Sequence, residues 1–331
     1  MTDRGHEAAL AALQLIGGAP DSRSRGADGS AAAKCLEIGI VNNMPDASLL
    51  ATERQFKDLI VQTAGAPPVR LRFYAIAGIA RAESAAQHIG AHYGDIETLT
   101  REKLDGLIIT GCEPKAASLA DEPYWPSLTR VIDWAADNTR STIFSCLAAH
   151  AAVLHLDGIK RVPLGQKLSG VFDCALVAGD PLLEGLGPEL RVPHSRLNDL
   201  AAQELSAHGY RILTSSPRVG VDLFVKQQAS FFVFLQGHPE YDSDSLLREY
   251  RRDVVRYLRG ERPSFPAIPE DYFDPLTEKH LAAFGQRVAS QQSRSPHREL
   301  ASLLEDVHPA KSWRHSAGGL CRNWLKYLAT R

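Results

Sequence analysis

From Cys35 onward the chain alternates short, nearly continuous apolar runs with longer stretches in which apolar residues recur at helical spacing. The runs Leu36–Val41, Val69–Tyr74, Gly106–Ile109, Ser141–Ser145 and Phe231–Leu235 are short, apolar and mostly rich in β-branched or aromatic residues, which predicts strands. Between them the spacing predicts helices over 48–63, 96–103 and 125–138, with a further helix of small residues directly after Cys146. Strands of this kind separated by amphipathic helices predict an α/β fold, a mostly parallel sheet with helices on both faces. Ligands bind such sheets at the carboxyl ends of the strands, so the loops after Val41, Ile109, Ser145 and Leu235 are expected to converge on any site.

The two ends of the chain follow other patterns. A short helix is predicted over 6–16, and residues 17–26 have too few large apolar groups to pack, so residues 1–34 are read as a flexible arm. Residues 35–260 form the α/β domain that carries the candidate chemistry. Residues 261–331 begin with Pro263, Pro266, Pro269 and Pro275, then predict helices over 276–290 and 299–306 and a last one with Leu320, Trp324 and Leu328 on one face. This segment is expected to pack as an extension of the same domain.

Composition narrows the function. The 331 residues are 44% apolar and 23% charged, which excludes wholesale disorder, and a formal net charge of −2 offers no general attraction to nucleic acid or an anionic membrane. Small molecules are therefore the expected partners. Cys35, Cys112, Cys146, Cys174 and Cys321 are odd in number, far apart and free of a C-x-x-C pair, which predicts no metal site and a reduced, cytoplasmic setting. No signal-peptide pattern opens the sequence, and the longest nearly apolar stretch, 142–156, is too short to span a bilayer.

Cys146 stands where Ser141-Thr142-Ile143-Phe144-Ser145 gives way to Leu147-Ala148-Ala149. A strand that turns sharply into a helix pushes the side chain at its apex out of the sheet, and the helix N-terminus behind it favours a thiolate. A buried structural cysteine would suit the same junction, and local sequence leaves both readings open. A reactive cysteine needs a base. His238 follows the strand Phe231–Leu235 and so should project from the same sheet edge, and Glu240 lies near enough in sequence to orient it. A hydrogen-bonded turn histidine before Pro239 is the plainer alternative.

The chain resembles the homoserine O-acyltransferases of methionine biosynthesis, the succinyltransferase group with a glutamine-amidotransferase-like fold. Stretches that carry the likeness run in order from Ile40-Val41-Asn42-Asn43-Met44-Pro45 and Thr52-Glu53-Arg54-Gln55-Phe56, through Asp105 to Gly111, Tyr124-Trp125 and the Cys146 elbow. They continue with Lys167-Leu168-Ser169-Gly170-Val171, Pro193-His194-Ser195-Arg196 and Gly237-His238-Pro239-Glu240-Tyr241-Asp242, and end at Ser312-Trp313-Arg314 and Asn323-Trp324-Leu325. The resemblance implies a class I amidotransferase-like, flavodoxin-like three-layer fold and a ping-pong transfer. Cys146 would take an acyl group from acyl-coenzyme A, succinyl-CoA by expectation. His238, oriented by Glu240, would activate the γ-hydroxyl of L-homoserine. Lys167, Ser195 and Arg252 are implicated in substrate binding. No cofactor is implied, the coenzyme A thioester being a substrate, and a homodimer is left open.

Arg252 belongs to a predicted helix with an apolar stripe of Tyr250, Val254, Tyr257 and Leu258, and it shares the opposite face with Arg248, Arg256 and Arg259, ordinarily a solvated arrangement. The chain also departs from the family pattern in two places. Gly111-Cys112-Glu113-Pro114-Lys115 replaces the usual Gly-Ala-Pro opening and sets Lys115 where glycine goes with succinyl and glutamate with acetyl donors. A cation there would complement the free carboxylate of a succinyl group, unless the lysine merely faces solvent. Pro114 has no N–H, so an oxyanion donor from this loop must come from a neighbour. Leu147 and His150 stand in place of the commoner aromatic and glutamine. The competing functions are therefore acetyl transfer, serine as acceptor, a glutamine amidotransferase-type glutaminase, and a non-catalytic relative that has kept the scaffold.

Overall fold

The computed structural model describes residues 35–61, 63 and 67–330, together with the backbone of Leu13–Leu15. Those last residues form strand β1 (Leu13–Leu15), which corrects the helix expected there; the apolar-polar-apolar order Leu-Gln-Leu suits an edge strand paired with Val69 to Leu71. The rest of that helix and of the 1–34 arm lies outside the described residues.

The first half of the chain supplies β2 (Leu36–Val41), α1 (Asp46–Val61), β3 (Val69–Tyr74), α2 (Glu83–His92), β4 (Tyr93–Gly94), α3 (Ile96–Leu99) and β5 (Gly106–Ile109). After these come α4 (Trp125–Asn138), β6 (Ser141–Ser145) and α5 (Leu147–Asp157). The second half supplies β7 (Val162–Leu176), β8 (Glu189–Asp199), α6 (Ala202–Ala207), β9 (Arg211–Ser216), β10 (Gly220–Gln227), β11 (Phe231–Leu235) and α7 (Ser245–Leu258). Helices α8 (Pro275–Ala289), α9 (Pro296–Leu304) and α10 (Arg314–Thr330) close the chain.

All eleven strands join one sheet in the order β1-β3-β2-β5-β6-β11-β10-β9-β7-β8, with β4 beside β3. It is parallel as far as β11 and antiparallel beyond. The five sequence-predicted strands match β2, β3, β5, β6 and β11. The antiparallel strands β7 to β10 went unread because their apolar residues alternate with polar ones and with Pro163, Gly165 and Gly170, so that no continuous run marks them.

Side chains leave each strand alternately to two cores. One face of the sheet buries Leu107, Ile109, Phe144, Phe232 and Phe234 under α4 and α5; the other buries Ile38, Ile40, Ile108 and Val233 under α1 and α10. A third cluster around Trp313, Phe284 and Tyr250 ties α7, α8 and α9 together. Trp324 of α10 donates through Nε1 to Ser141 Oγ at 2.9 Å, which couples the C-terminal segment to the start of β6. Phe144, Phe234 and Phe224 stack in series with centroids 5.0 and 4.8 Å apart, fixing β6, β11 and β10 side by side.

That register decides where the chemistry lies. Ser145 pairs with Leu235 and Ile109 with Phe144, so β5, β6 and β11 end nearly level. The residues that follow them emerge at one rim.

Candidate active site

Cys146 is held at the apex of the β6–α5 junction with φ 52° and ψ −112°, a conformation that costs a non-glycine residue free energy and persists only where the surroundings enforce it. Enforcement comes from both sides. The Cys146 N–H donates to Leu235 O at 2.7 Å, and Ala148 and Ala149 are buried directly behind. The loop after β5 closes over the elbow: a Cβ at Gly111 would lie 2.8 Å from Leu147 Cβ and 3.1 Å from its backbone nitrogen. The free N–H groups at the start of α5 thus border the space in front of the sulfur.

His238 reaches the same rim from β11. Its N–H donates to Pro193 O at 2.8 Å, and Gly237 before it packs on β8 and β10, where a Cβ would meet Val192 at 2.4 Å and Asp222 Oδ1 at 2.8 Å. The imidazole is buried, pairs through Nδ1 with Glu240 Oε1 at 2.8 Å, and is hydrogen-bonded to Cys146. It stacks on Tyr241 with centroids 4.2 Å apart and planes 17° from parallel. Burial would push the histidine towards its neutral form, but negative charge at Cys146 and at Glu240 outweighs it and raises the imidazole pKa well above its ordinary value. Cysteine, histidine and carboxylate therefore form one connected line.

These groups face a cavity of about 500 Å³ that Lys167, Ser195 and Arg252 also line. Antiparallel strands bring the last three together: Lys167 sits on β7 and Ser195 on β8, both against Glu249 of α7. Glu249 accepts from Lys167 Nζ at 2.8 Å, from Tyr241 Oη at 2.6 Å and from Ser195 Oγ, and lies 3.7 Å from the Arg252 guanidinium. Lys167 and Arg252 share Asp253 as well, at 2.9 and 3.0 Å. The basic face of α7 is consequently not simply wet; acids thread it and order it.

Burial would raise the Glu249 carboxyl, but the Lys167 charge and three donated hydrogen bonds bring it down to about 2. A depressed carboxylate stabilises the fold above its unfolded pKa and loses that contribution as pH falls through the folded one. Glu249→Gln is therefore expected to cost about 2 kcal/mol at neutral pH. The difference from wild type should shrink between pH 4.5 and 2. Urea unfolding of both proteins at pH 7 and pH 3 measures this.

Lys115 is not brought to the cavity. Its side chain is exposed while its backbone N–H is held by Glu122 Oε1 at 2.5 Å, and the loop presents Cys112, Glu113 and Pro114 to the cavity instead. Tyr241, Glu249, Gln236 and Arg161 escaped the sequence reading. Tyr241 alone had a signal, its place directly after Glu240 in the His-Pro-Glu-Tyr segment.

Among the described residues Cys174, His194 and Asp222 form a buried group whose ligand atoms all lie within 4.8 Å of one another. It does not line the cavity. His194 Nε2 is 3.2 Å from Asp222 Oδ1, directly beneath Gly237, so the group buttresses the loop that carries His238.

A half-parallel α/β sheet with a cysteine elbow, a histidine and a glutamate at its carboxyl rim has the class I glutamine-amidotransferase-like fold. A glutamine amidotransferase from Thermotoga maritima shares the fold with a TM-score of 0.50 at 12% identity, over 89% of this chain and 99% of that one. Within that fold the chain belongs to the homoserine O-succinyltransferase family, whose model matches residues 23–331, and it is thereby an O-acyltransferase. It is 51% identical over 312 residues to a homoserine O-succinyltransferase of Rhodopseudomonas palustris, covering 94% of this chain and 93% of the relative. A homoserine O-succinyltransferase of Methylorubrum extorquens is 47% identical over 296 residues, covering 89% and 88%.

Proposed function

We propose that the protein transfers the succinyl group of succinyl-CoA to the γ-hydroxyl of L-homoserine by a ping-pong route through a Cys146 thioester, a step of methionine biosynthesis. The observation that carries this is the connected Cys146–His238–Glu240 line facing a cavity that also holds paired cations and carboxylates, in a chain of this family. The Cys146 thiolate attacks the thioester carbonyl, and coenzyme A leaves with the proton that His238 held. Acylation removes the negative charge on sulfur that raised the imidazole. His238, having lost its proton, then stays neutral more readily and can accept the proton of the homoserine hydroxyl as its oxygen attacks the thioester. Collapse of that intermediate returns the thiolate, and His238 keeps the proton.

A zwitterionic amino acid needs both signs of charge, which Lys167, Arg252 and Glu249 offer around Ser195. No cofactor enters this scheme, the coenzyme A thioester being a substrate. The dependence on a free thiol and on coenzyme A esters supports action in the cytoplasm; no helix among the described residues is long and apolar enough to cross a membrane.

Incubation with succinyl-CoA alone should add one succinyl group to Cys146, seen by intact mass and peptide mapping, and later homoserine should discharge it as O-succinylhomoserine. Glutamine hydrolysis with no acyl adduct would sink the reading in favour of a glutaminase. Transfer from acetyl-CoA in preference, or to serine, would correct the donor or the acceptor alone.

A further inference from the structure

Five arginine and lysine side chains line the cavity, Arg161, Lys167, Arg196, Arg248 and Arg252, and four of them have carboxylate partners. Arg161 has no ion pair and no hydrogen bond among the described residues, and its NH1 is fully buried without an acceptor. A half-buried guanidinium left in this state is costly unless an anion comes to it.

It shares the cavity wall with Cys146 and His150. The Arg161 charge acts on His150, one turn along α5 from Cys146, and on Tyr124 behind Cys112; Lys167, Ser195 and Arg252 instead gather at α7. His150 contributes no charge of its own, because burial foremost and then the Arg196 charge bring its pKa down to about 3. Gln236 spends its amide N–H groups on Val221 O at 2.7 Å and Asp199 at 3.1 Å, so its Oε1, 2.9 Å from His150 Nε2, accepts the imidazole proton. Nδ1 of His150 is then a buried acceptor without a partner, in the same cavity wall as the unpartnered Arg161 NH1, so neither group spends the other and the guanidinium fork is left to a ligand.

We propose that Arg161 binds the distal carboxylate of a dicarboxylic acyl group while the thioester sits over Cys146, so that Arg161, rather than Lys115, selects succinyl over acetyl. The inference rests on the acyl-transfer reading above. An anion at Arg161 could also be a phosphate of coenzyme A, which both donors carry, and the ratio of the two donors separates these sources.

The test is kcat/KM for succinyl-CoA divided by kcat/KM for acetyl-CoA, with homoserine, in wild type, Arg161→Gln, Arg161→Lys and Lys115→Glu. The ratio cancels any general loss of folded protein or of coenzyme A affinity. It is expected to fall about a hundredfold in Arg161→Gln and only in part in Arg161→Lys, the scale of losing one partner of a desolvated charge pair. An unchanged ratio in Arg161→Gln, including an equal loss with both donors as a phosphate contact would give, overturns the proposal. So does a larger fall in Lys115→Glu. Wild-type protein that transfers neither group would instead bring down the transfer reading itself and the proposal with it.

Discussion

Cys146→Ser is expected to lower kcat by at least about a thousandfold and to leave no succinyl thioester on the protein, with an unfolding midpoint close to wild type. The oxygen occupies nearly the same volume, so the elbow, its left-handed φ and the buried Ala148 and Ala149 behind it have no reason to move. The chemistry changes instead. A serine hydroxyl keeps its proton at neutral pH, which removes the anion that raises His238, and the line from sulfur to carboxylate loses its charge-separated state. An oxygen ester also releases its acyl group to homoserine less readily than a thioester does, so both half-reactions suffer. The measurements are steady-state kcat, intact mass after succinyl-CoA, and thermal unfolding by circular dichroism. Wild-type turnover in the variant would remove Cys146 from the chemistry and return it to a packing role.

The parallel half of the fold was legible because its strands are buried on both faces and therefore read as uninterrupted apolar runs; β2, β3, β5, β6 and β11 have the bounds the pattern gave. Cys146, His238 and Glu240 were legible for a related reason. Each lies just beyond one of those strands, and in a parallel sheet the strand ends share an edge. The remainder of the site depends on β7 and β8, whose alternating and glycine-interrupted sequences give weak signals, and on the way they dock Lys167 and Ser195 against α7.

Glu249 shows the consequence. In one dimension it is an acid diluting a row of arginines, and only the contact across 82 positions with Lys167 makes it the centre of a polar cluster. Arg161 gave no signal for the opposite reason: what distinguishes it is the absence of a carboxylate, which needs the whole cavity wall to be known. Lys115 was placed by counting residues from Tyr124-Trp125, and counting fixes a position along a loop without fixing which side of the loop faces the cavity.

Glu240→Gln is expected to reduce kcat about a hundredfold to ten-thousandfold and to move the acid limb of its pH profile to lower pH. Two effects combine. Glu240 accepts from His238 Nδ1 at 2.8 Å and so keeps the other ring nitrogen free for the reacting groups, whereas a glutamine amide can turn its N–H towards Nδ1 and stabilise the wrong tautomer. The carboxylate also raises the imidazole pKa, after Cys146 the largest of the influences that do so. In the acyl-enzyme the sulfur charge is gone, and Glu240 is then the main group holding the proton on His238. Homoserine can be deprotonated only by the neutral ring, so the second half-reaction slows as pH drops through the His238 value. Removing Glu240 lowers that value, and the limb follows it downwards even as the plateau falls. Profiles of kcat against pH for wild type and variant, with homoserine saturating, test both parts together. A plateau lowered without any shift of the limb would assign Glu240 to orientation alone, and an unaltered profile would disconnect it from His238 during turnover.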